Sequence, residues 1–369
     1  MSADPDDKAF MEVALRLARR AVGDTADNPP VGCVLVRDGR VVGRGRTASG
    51  GRPHAEVQAL AMAGEAARDC TAYVTLEPCA HHGRTPPCAD ALIAAGVARV
   101  VVAIEDPDPR VDGGGLARLR EAGIEISTGI GAESATTIAA GFLSRIRTGR
   151  PIVTLKLATS LDGRIATATG ASRWITGPRA RARGHRMRAR HDAILIGVGT
   201  AITDDPSLDC RLPGLQSRSP VRVVMDGALR LPASSGLVRT AHEWPTVVIA
   251  SASADPAKRQ ELEGHGVAVA TVEVNNDGRP AIGAALTLLA GRGVGRVLVE
   301  GGATVAKSLI AADAVDTLAW FRAPMLLGGD GIPAVGALGL DAIGTAPRFV
   351  PVRTESLDGD TLEILHRQP

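Results

Sequence analysis

The chain has 369 residues, of which 45% are hydrophobic, so it is long enough and apolar enough for two domains with substantial cores. Its net charge of +2 and aromatic content of 2% argue against a protein that binds nucleic acid by charge or by base stacking. No apolar stretch could span a bilayer, the acidic N-terminus is unlike a secretory signal, and an odd number of cysteines, five, fits a reducing compartment, so we expect a cytoplasmic protein.

The first half of the chain alternates helical and strand patterns. Apolar residues at helical spacing predict a helix over residues 8–22, and two β-rich stretches around the turn signal Arg37-Asp38-Gly39 predict a hairpin. Further helices are predicted over residues 57–63, 88–95, 116–122 and 132–146, and further strands over 71–76, 97–104 and 124–127. This alternation predicts a three-layer α/β/α domain.

A histidine and two cysteines in this half, His54, Cys79 and Cys88, have the spacing of zinc ligands. One imidazole and two thiolates hold Zn²⁺ and leave its fourth position to a water, whose pKa the metal lowers. Glu56 is the expected catalytic proton carrier beside that water. The pattern is typical of hydrolytic deaminases, although here eight residues rather than two separate the cysteines. The alternative is a pair of ordinary core thiols, and the helix starts predicted near the ligands favour the metal site.

The second half begins after a polar, breaker-rich stretch, and we expect domains over residues 1–147 and 151–369. Strands are predicted over residues 152–158, 221–225 and 246–250, a strand running into a glycine turn over 193–200, and a strand followed by glycines and a helix over 297–311. The last junction offers free backbone N–H groups to a phosphate, but no complete G-x-G-x-x-G is present.

A strongly basic helix is predicted over residues 179–190. Six arginines lie in it: Arg179, Arg181, Arg183, Arg186, Arg188 and Arg190. Most of them are expected to form a solvated face, while one or two bind a phosphate through two hydrogen bonds.

Taken together, these motifs resemble one family over nearly the whole chain, the bifunctional riboflavin-biosynthesis deaminase–reductases. In the first half the resemblance rests on residues 28–34, 54–56 and 75–88, and in the second half on residues 155–164, 172–176, 203–206 and 299–302. The long loop between the two cysteines separates this family from cytidine deaminases and tRNA adenosine deaminases.

The resemblance implies an α/β protein with a cytidine-deaminase-like domain followed by a dihydrofolate-reductase-like domain. The first would deaminate 2,5-diamino-6-(5-phosphoribosylamino)pyrimidin-4-one hydrolytically at zinc, with one Zn²⁺ per chain. The second would use NADPH to reduce the ribosyl group of 5-amino-6-(5-phosphoribosylamino)uracil to ribityl. We therefore expect phosphoribosyl pyrimidines as partners, neither nucleic acid nor membrane, and a homo-oligomer, either a dimer or a tetramer.

The resemblance also implies site residues. Those expected to bind the deaminase substrate are Asn28, His81, Arg84 and Asp106. Those expected to touch NADPH are Ala158, Trp174, Thr200 and Asp204, with the pyrophosphate held by Gly302, Ala303, Thr304, Val305, Ala306, Lys307 and Ser308. Those expected to hold the reductase substrate are Ser172, Arg188, Leu208, Arg211 and Glu300. Lys156 is a hypothesis for a catalytic cation near the reacting ribose, and the alternative is a lysine at a strand end in solvent.

The chain departs from the family pattern at three positions. Thr47 stands where family members commonly have a histidine seven residues before the zinc histidine, Asp108 stands for an asparagine, and Gly227 lacks a hydroxyl often found beside the cofactor. A hydroxyl cannot supply the charge of an imidazole. The affinity of the deaminase for its substrate is then expected to be lowered, or an arginine of the loop over residues 46–52 takes the place of the histidine. The alternatives to the two-step function are a reductase with an impaired deaminase domain, a nucleic-acid base deaminase with an accessory domain, and a regulatory or scaffold protein built on an inactive enzyme.

Overall fold

A computed structural model describes residues 5–83 and 86–368, which fall into two units divided between Gly149 and Arg150. No helix within these ranges combines the length and the apolar character that crossing a membrane requires.

In the described part of the first unit, five α-helices surround a five-stranded sheet. The helices are α1 (Pro5–Ala21), α2 (Ala55–Ala63), α3 (Cys88–Ala94), α4 (Gly114–Glu121) and α5 (Ala132–Thr148). The strands are β1 (Gly32–Arg37), β2 (Arg40–Arg46), β3 (Thr71–Val74), β4 (Arg99–Val102) and β5 (Glu125–Thr128). Their order in the sheet is β2-β1-β3-β4-β5, antiparallel among the first three strands and parallel from β3 to β5.

Alternate residues of these strands feed two separate cores. Val34 and Val36 of β1 pack with α1 and α5, whereas Cys33 and Leu35 pack with α2, α3 and α4. Because successive side chains of a strand point to opposite faces, both faces of this sheet are covered by helices. The prediction of a three-layer α/β/α domain is thus confirmed, as is the hairpin, whose Asp38 and Gly39 both have positive φ as a tight two-residue turn requires.

Two glycines of β2 let α2 lie directly on the strand. A Cβ atom at Gly43 would lie 2.2 Å from the carbonyl oxygen of Ala59, and one at Gly45 would lie 2.1 Å from that of Ala55. Only glycine therefore permits this approach. The contact at Gly45 fixes the first turn of α2, which begins immediately after His54.

Over residues 150–368, the second unit has six α-helices and eleven strands. The helices are α6 (Pro178–Arg188), α7 (Val198–Asp204), α8 (Gly236–Arg239), α9 (Pro256–Gly264), α10 (Ile282–Gly291) and α11 (Ala303–Ala311). The strands are β6 (Ile152–Thr159), β7 (Arg164–Ala166), β8 (Ala193–Gly197), β9 (Val221–Met225), β10 (Thr246–Ser251), β11 (Ala268–Val272), β12 (Arg296–Val299), β13 (Thr317–Arg322), β14 (Ile332–Pro333), β15 (Phe349–Leu357) and β16 (Asp360–Arg367).

Nine of these strands form one sheet in the order β11-β10-β9-β8-β12-β6-β13-β16-β15. The strands from β11 to β13 are parallel, and β16 and β15 are antiparallel to their neighbours. Buried side chains pack on both faces of the sheet. In such an α/β sheet, ligands bind outside the carboxyl ends of the parallel strands. The strand order here places the carboxyl ends of β6, β12, β8 and β9 side by side.

One predicted element is wrong in its second part. The strand predicted over residues 193–200 ends at Gly197, and α7 begins at Val198 in place of the expected glycine turn. Val198 is the first residue of α7, and its side chain is buried in the core. Tertiary packing therefore overrides the strand preference of a β-branched residue.

Candidate active sites

The three predicted zinc ligands lie at the ends of regular elements. His54 is the extended residue immediately before α2, Cys79 lies in the loop that follows β3, and Cys88 is the first residue of α3, directly after Pro87. The proline ends the preceding chain in an extended conformation, so the helix starts at the cysteine.

The ligand atoms of these residues converge. The Nδ1 atom of His54 lies 3.3 Å from the Sγ of Cys88 and 3.8 Å from the Sγ of Cys79, and all three atoms lie within 4.8 Å of one another. Zn–S bonds of about 2.3 Å and Zn–N bonds of about 2.0 Å in a tetrahedron separate ligand atoms by roughly 3.5–3.8 Å. The spacing and the donor set therefore fit a zinc ion.

The pKa values of the three side chains are also shifted by their close approach to one another. The hydrogen bond with Cys88 lowers the pKa of the Cys79 thiol to about 4, and the backbone N–H of Cys88 also donates to Cys79 Sγ at 3.3 Å. The hydrogen bond with Cys79, with burial added, raises the pKa of Cys88, and the same sulfur raises the pKa of His54. A cation bound between the two sulfurs would hold both as thiolates.

Glu56 is a buried carboxyl close to the cluster, 4% exposed, in the first turn of α2. Burial raises its pKa to about 7. The side chain lines a cavity of about 340 Å³ that His54 and Cys79 also line. A carboxyl whose pKa lies near neutrality can both accept and release a proton there.

Three of the residues predicted to bind the deaminase substrate, Asn28, His81 and Asp106, line this cavity. The fourth, Arg84, lies outside the described residues. Asp106 is buried, and burial raises its pKa to about 6. Three arginines of the wall add positive charge. Arg52 ends the loop over residues 46–52, from which an arginine was expected, whereas Arg110 and Arg145 were not singled out from the sequence.

Glu77 is a site residue whose role sequence reasoning missed, although it lies within the motif that carries Cys79. Its buried carboxylate accepts hydrogen bonds from four backbone N–H groups, those of Asp106, Gly113, Gly115 and Leu116, at 2.9–3.2 Å. It therefore ties the cysteine loop both to the segment that carries Asp106 and to the N-terminus of α4, where a negative charge is favourable. Its position next to Pro78-Cys79 was the signal that could have found it.

Thr47, the residue that replaces the family histidine, is buried in the wall of the cavity. Its hydroxyl donates to the carbonyl oxygen of Pro29 and accepts from the backbone N–H of Val31, both at 2.9 Å. The hydroxyl thus fixes the backbone of residues 29–31, which connects Asn28 to the start of β1.

In the second unit, a buried carboxylate lies between two cations. Glu300 contacts Lys156 Nζ at 3.4 Å and Arg188 at 2.9 and 3.1 Å. Although burial opposes ionisation, the charges of Lys156 and Arg188 hold the pKa of Glu300 well below its usual range. The three side chains form one ionic network at the carboxyl ends of β6 and β12.

A cavity of about 740 Å³ opens beside this network. The residues predicted for the reductase that line it are Lys156, Ala158, Ser172, Trp174, Thr200, Asp204, Glu300, Gly302, Ala303, Thr304, Val305 and Ser308. The structure thus brings the greater part of the predicted reductase site to a single cavity.

Five of the residues predicted for the reductase site do not line this cavity. Ala306 is fully buried in the core, Leu208 is buried, and Lys307 packs beside Gly336. Arg211 is exposed and lies 3.4 Å from the ring of His185. Arg188 reaches the site through Glu300 and also donates to the carbonyl oxygen of Asp209 at 2.9 Å.

Close packing of glycines shapes the floor of this cavity. Ideal Cβ atoms at Gly197 and at Gly301 would each lie 2.8 Å from the side chain of Val305 in α11. The missing side chains let the first turn of α11 approach β8 and β12 and present its free N–H groups to the cavity.

Further arginines not singled out as cavity residues line or flank it. The guanidinium of Arg181, on the basic helix, lies 4.6 Å from the ring centroid of Trp174. Arg230 and Arg279, in two turns far apart in the sequence, also line the cavity. On the rest of the basic helix, Arg179 and Arg183 pair with Asp358 and Glu355.

Comparison with known families gives two matches that together span most of the chain. The model of the cytidine and deoxycytidylate deaminase zinc-binding region matches residues 4–104, and that of the RibD C-terminal domain matches residues 151–362.

Curated relatives match over nearly their full lengths. The riboflavin biosynthesis protein RibD of Escherichia coli is 43% identical over 366 residues, covering 93% of this chain and 94% of the relative. That of Bacillus amyloliquefaciens is 43% identical over 326 residues, covering 88% and 86%.

Two solved structures are similar to this chain over nearly its full length. RibD of Acinetobacter baumannii superposes with a TM-score of 0.89 at 38% identity, over 99% of both chains. The diaminohydroxyphosphoribosylaminopyrimidine deaminase/5-amino-6-(5-phosphoribosylamino)uracil reductase of Thermotoga maritima gives 0.86 at 33%, over 98% of this chain and 99% of that one.

Proposed function

Since this chain belongs to the RibD family, we propose which of its residues carry each of the two reactions of that family. The protein is a bifunctional deaminase and reductase of riboflavin biosynthesis, and its cofactors are Zn²⁺ and NADPH. This membership favours that function over a nucleic-acid base deaminase. We assign the deaminase to residues 1–147 and the reductase to residues 151–369.

In the deaminase, His54, Cys79 and Cys88 hold the zinc, and the convergence of their three ligand atoms is the observation that carries this assignment. Zinc bound there supplies a Lewis acid that makes a water acidic near neutral pH. The substrate is 2,5-diamino-6-(5-phosphoribosylamino)pyrimidin-4-one. The ring carbon C2 gains the oxygen of the water, and the amino group at C2 leaves as ammonia.

Glu56 carries the protons of this reaction. Its carboxylate takes a proton from the water, passes it to a ring nitrogen, and delivers the second proton to the departing amine. The raised pKa and the position of Glu56 in the cavity wall support this role.

Asn28, His81 and Asp106, together with Arg84, hold the pyrimidine and the ribose phosphate. Their support is the shared cavity for the first three, and Arg52 adds a further cation to the wall. Thr47 serves the site by fixing the backbone after Asn28, so the loss of the family histidine leaves a defined hydroxyl contact rather than a gap.

In the reductase, the residues that line the larger cavity would hold NADPH, which when bound would supply hydride to C1 of the ribose in its imine or open-chain form. The backbone N–H groups of Gly302, Ala303 and Thr304 and the Ser308 hydroxyl would hold the pyrophosphate, with Val305 lining the same turn. Ala158, Trp174, Thr200 and Asp204 would contact the rest of the cofactor. Ala306 and Lys307 continue the same helix, and the N–H of Ala306 donates to the carbonyl oxygen of Gly302, which holds the turn in place.

Lys156 is the cation next to the reacting ribose, and Glu300 fixes its position through their 3.4 Å contact. The substrate, 5-amino-6-(5-phosphoribosylamino)uracil, is held by Ser172 and Glu300. Arg211 suits its phosphate because a guanidinium binds phosphate at two points. Arg188, whose guanidinium is bound to Glu300 and to the carbonyl oxygen of Asp209, serves the substrate by fixing Glu300. Leu208 supports this wall from the core beside α7.

A mass-spectrometric product assay of the purified full chain tests both assignments. We expect deaminated product without NADPH and the deaminated, reduced product with it. Glu56→Gln should abolish the first reaction and leave the reduction of pre-deaminated substrate unchanged, while Lys156→Met should do the reverse. Cys70→Ala, a buried cysteine outside the cluster, is the matched control for Cys79→Ala in measurements of zinc content. Deamination by Glu56→Gln at the wild-type rate would refute the role given to Glu56.

The chain is also proposed to form a homo-oligomer, either a dimer or a tetramer. The outermost strand of the large sheet, β15, supports this because it exposes Val350 by 49% and Val352 by 56%. Light scattering after size-exclusion chromatography measures the mass directly, and a monomer at micromolar concentration would contradict the proposal.

A cytoplasmic location is supported by the five cysteines, all of which are unpaired thiols. Cell fractionation with antibodies against the chain is the corresponding test.

A further inference from the structure

We propose that Arg230 and Arg279 bind the 2′-phosphate of NADPH and thereby make the reductase prefer NADPH to NADH. The inference rests on the proposed function, in which NADPH occupies the cavity of the second unit, and it names the part of that cavity that selects the cofactor.

The order of the strands gives the direction of the cofactor. Lys156 and Ala158 lie on β6, α11 follows β12, and Thr200 follows β8, so the next strand along the sheet is β9. Strands lie about 4.8 Å apart, so the end of β9 lies roughly 14 Å from that of β6. A dinucleotide with its nicotinamide at β6 and its pyrophosphate at α11 therefore extends its adenosine half toward the end of β9.

Arg230 belongs to the turn that follows β9. Asp226 shapes this turn, because its carboxylate accepts from the backbone N–H of Leu231 at 2.8 Å and its carbonyl oxygen accepts from that of Leu229 at 3.2 Å. Arg230 lies between these two anchored residues and lines the cavity with an exposed side chain.

Arg279 is brought to the same place by a second turn. The side-chain oxygen of Asn275 accepts from the backbone N–H groups of Asp277 and Arg279, both at 3.0 Å. The following Pro280 packs on the β9 turn so closely that a Cβ atom at Gly227 would lie 2.9 Å from its Cδ. The absence of a side chain at position 227 thus lets the second turn close against the first.

Charge at this end of the cavity suits a phosphate. The acidic residues in the cavity lining are Asp204, in α7, and Glu300, after β12; the β9 turn and residues 279–282 add none to it. Within the ranges that the structure describes, neither guanidinium has an ion pair or side-chain hydrogen bond. An acidic residue at this place would favour the free 2′-hydroxyl of NADH, whereas arginine accommodates the 2′-phosphate of NADPH.

Binding of two nucleotide fragments to the full chain tests the inference. Calorimetry would compare adenosine 2′,5′-bisphosphate with 5′-AMP for wild type, Arg230→Ala, Arg279→Ala and the double variant. Each arginine should strengthen binding of the bisphosphate about 10-fold or more, as expected for a charge-assisted hydrogen bond, and leave 5′-AMP unchanged. Arg292→Ala, an exposed arginine at the end of α10, is the matched control and should change neither.

Steady-state kinetics with pre-deaminated substrate give a second readout. The kcat/KM for NADPH should fall about 100-fold or more in the double variant while that for NADH stays constant. Equal losses for both nucleotides, a rise in the KM of the pyrimidine alone, or an unchanged preference would overturn the inference. A wild-type chain that oxidises no NADPH would instead refute the proposed reductase function, and the fragment titration would still decide the role of the two arginines.

Discussion

Arg188 holds the Glu300 carboxylate at two points, with Nε 2.9 Å from one oxygen and Nη2 3.1 Å from the other. Both side chains are largely buried, and Lys156 approaches the same carboxylate from β6. A buried pair of this kind gains little over apolar residues of similar size, but losing one partner leaves an uncompensated charge.

Replacing Arg188 by methionine is therefore expected to destabilise the second unit by about 3 kcal/mol. The double variant Arg188→Met with Glu300→Leu should regain much of that loss, because it removes the buried carboxylate that the single variant leaves without its arginine. All three tryptophans, Trp174, Trp244 and Trp320, lie in this unit, so tryptophan fluorescence during urea unfolding reports on it selectively. A double variant less stable than Arg188→Met would contradict the expectation.

The stability that Glu300 contributes should depend on pH. Its folded pKa is lower than the ordinary value of 4.5 because, against the effect of burial, Lys156 and Arg188 favour the ionised form. The contribution is therefore complete above the unfolded pKa and is lost as the pH falls below it. The difference in unfolding free energy between wild type and Glu300→Gln should shrink between about pH 7 and about pH 3. A constant or growing difference would count against this account.

Glu77→Gln should weaken zinc binding without touching a ligand. The amide replaces one carboxylate oxygen by a donor, so the backbone N–H groups at that oxygen lose their acceptor and the loop before Cys79 loses its anchor. Groups that support metal ligands typically contribute 10- to 100-fold in metal affinity, and we expect a loss of about that size in competition with a chromogenic chelator. Glu65→Gln, an exposed glutamate of the same unit, should bind zinc as the wild type does.

Thr47→Val should destabilise the first unit, because valine keeps the shape but leaves the buried N–H of Val31 without its partner. The expected cost is about 1–3 kcal/mol, measured by scanning calorimetry, with a raised KM for the deaminase substrate because Asn28 adjoins the disturbed backbone. Thr47→Ser keeps the hydroxyl and should retain the KM. Equal KM values for the two variants would show that the hydroxyl does not position this wall.

Gly301→Ala should weaken NADPH binding by forcing α11 away from β12, because the new Cβ would meet Val305 at 2.8 Å. The double variant with Val305→Ala removes the obstructing atoms and should restore much of the affinity, measured by the change in NADPH fluorescence on binding. Gly283→Ala, a helix position with open space around it, is the control and should bind normally. No rescue by Val305→Ala would refute the steric explanation.

The convergence of His54, Cys79 and Cys88 could be predicted from the sequence because each lies beside a local signal, a helix start or a strand end, within 35 residues of the others. The partners of Glu77 could not, since they are backbone N–H groups at residues 106–116, and any residue type offers such a group. The approach of Arg230 and Arg279 could not be predicted from the sequence either. Strand order and a missing side chain at Gly227 bring their turns together, and neither leaves a motif.

Glu77 also limits how the deaminase can be redesigned. The backbone N–H groups that it gathers belong to the segment carrying Asp106, a wall of the cavity, while the residue itself immediately precedes the metal-ligand turn. Altering pyrimidine selectivity through residues 106–116 therefore also alters how firmly the metal is retained. Metal content has to be assayed for every specificity variant made there, and selection for a new substrate acts on metal retention at the same time.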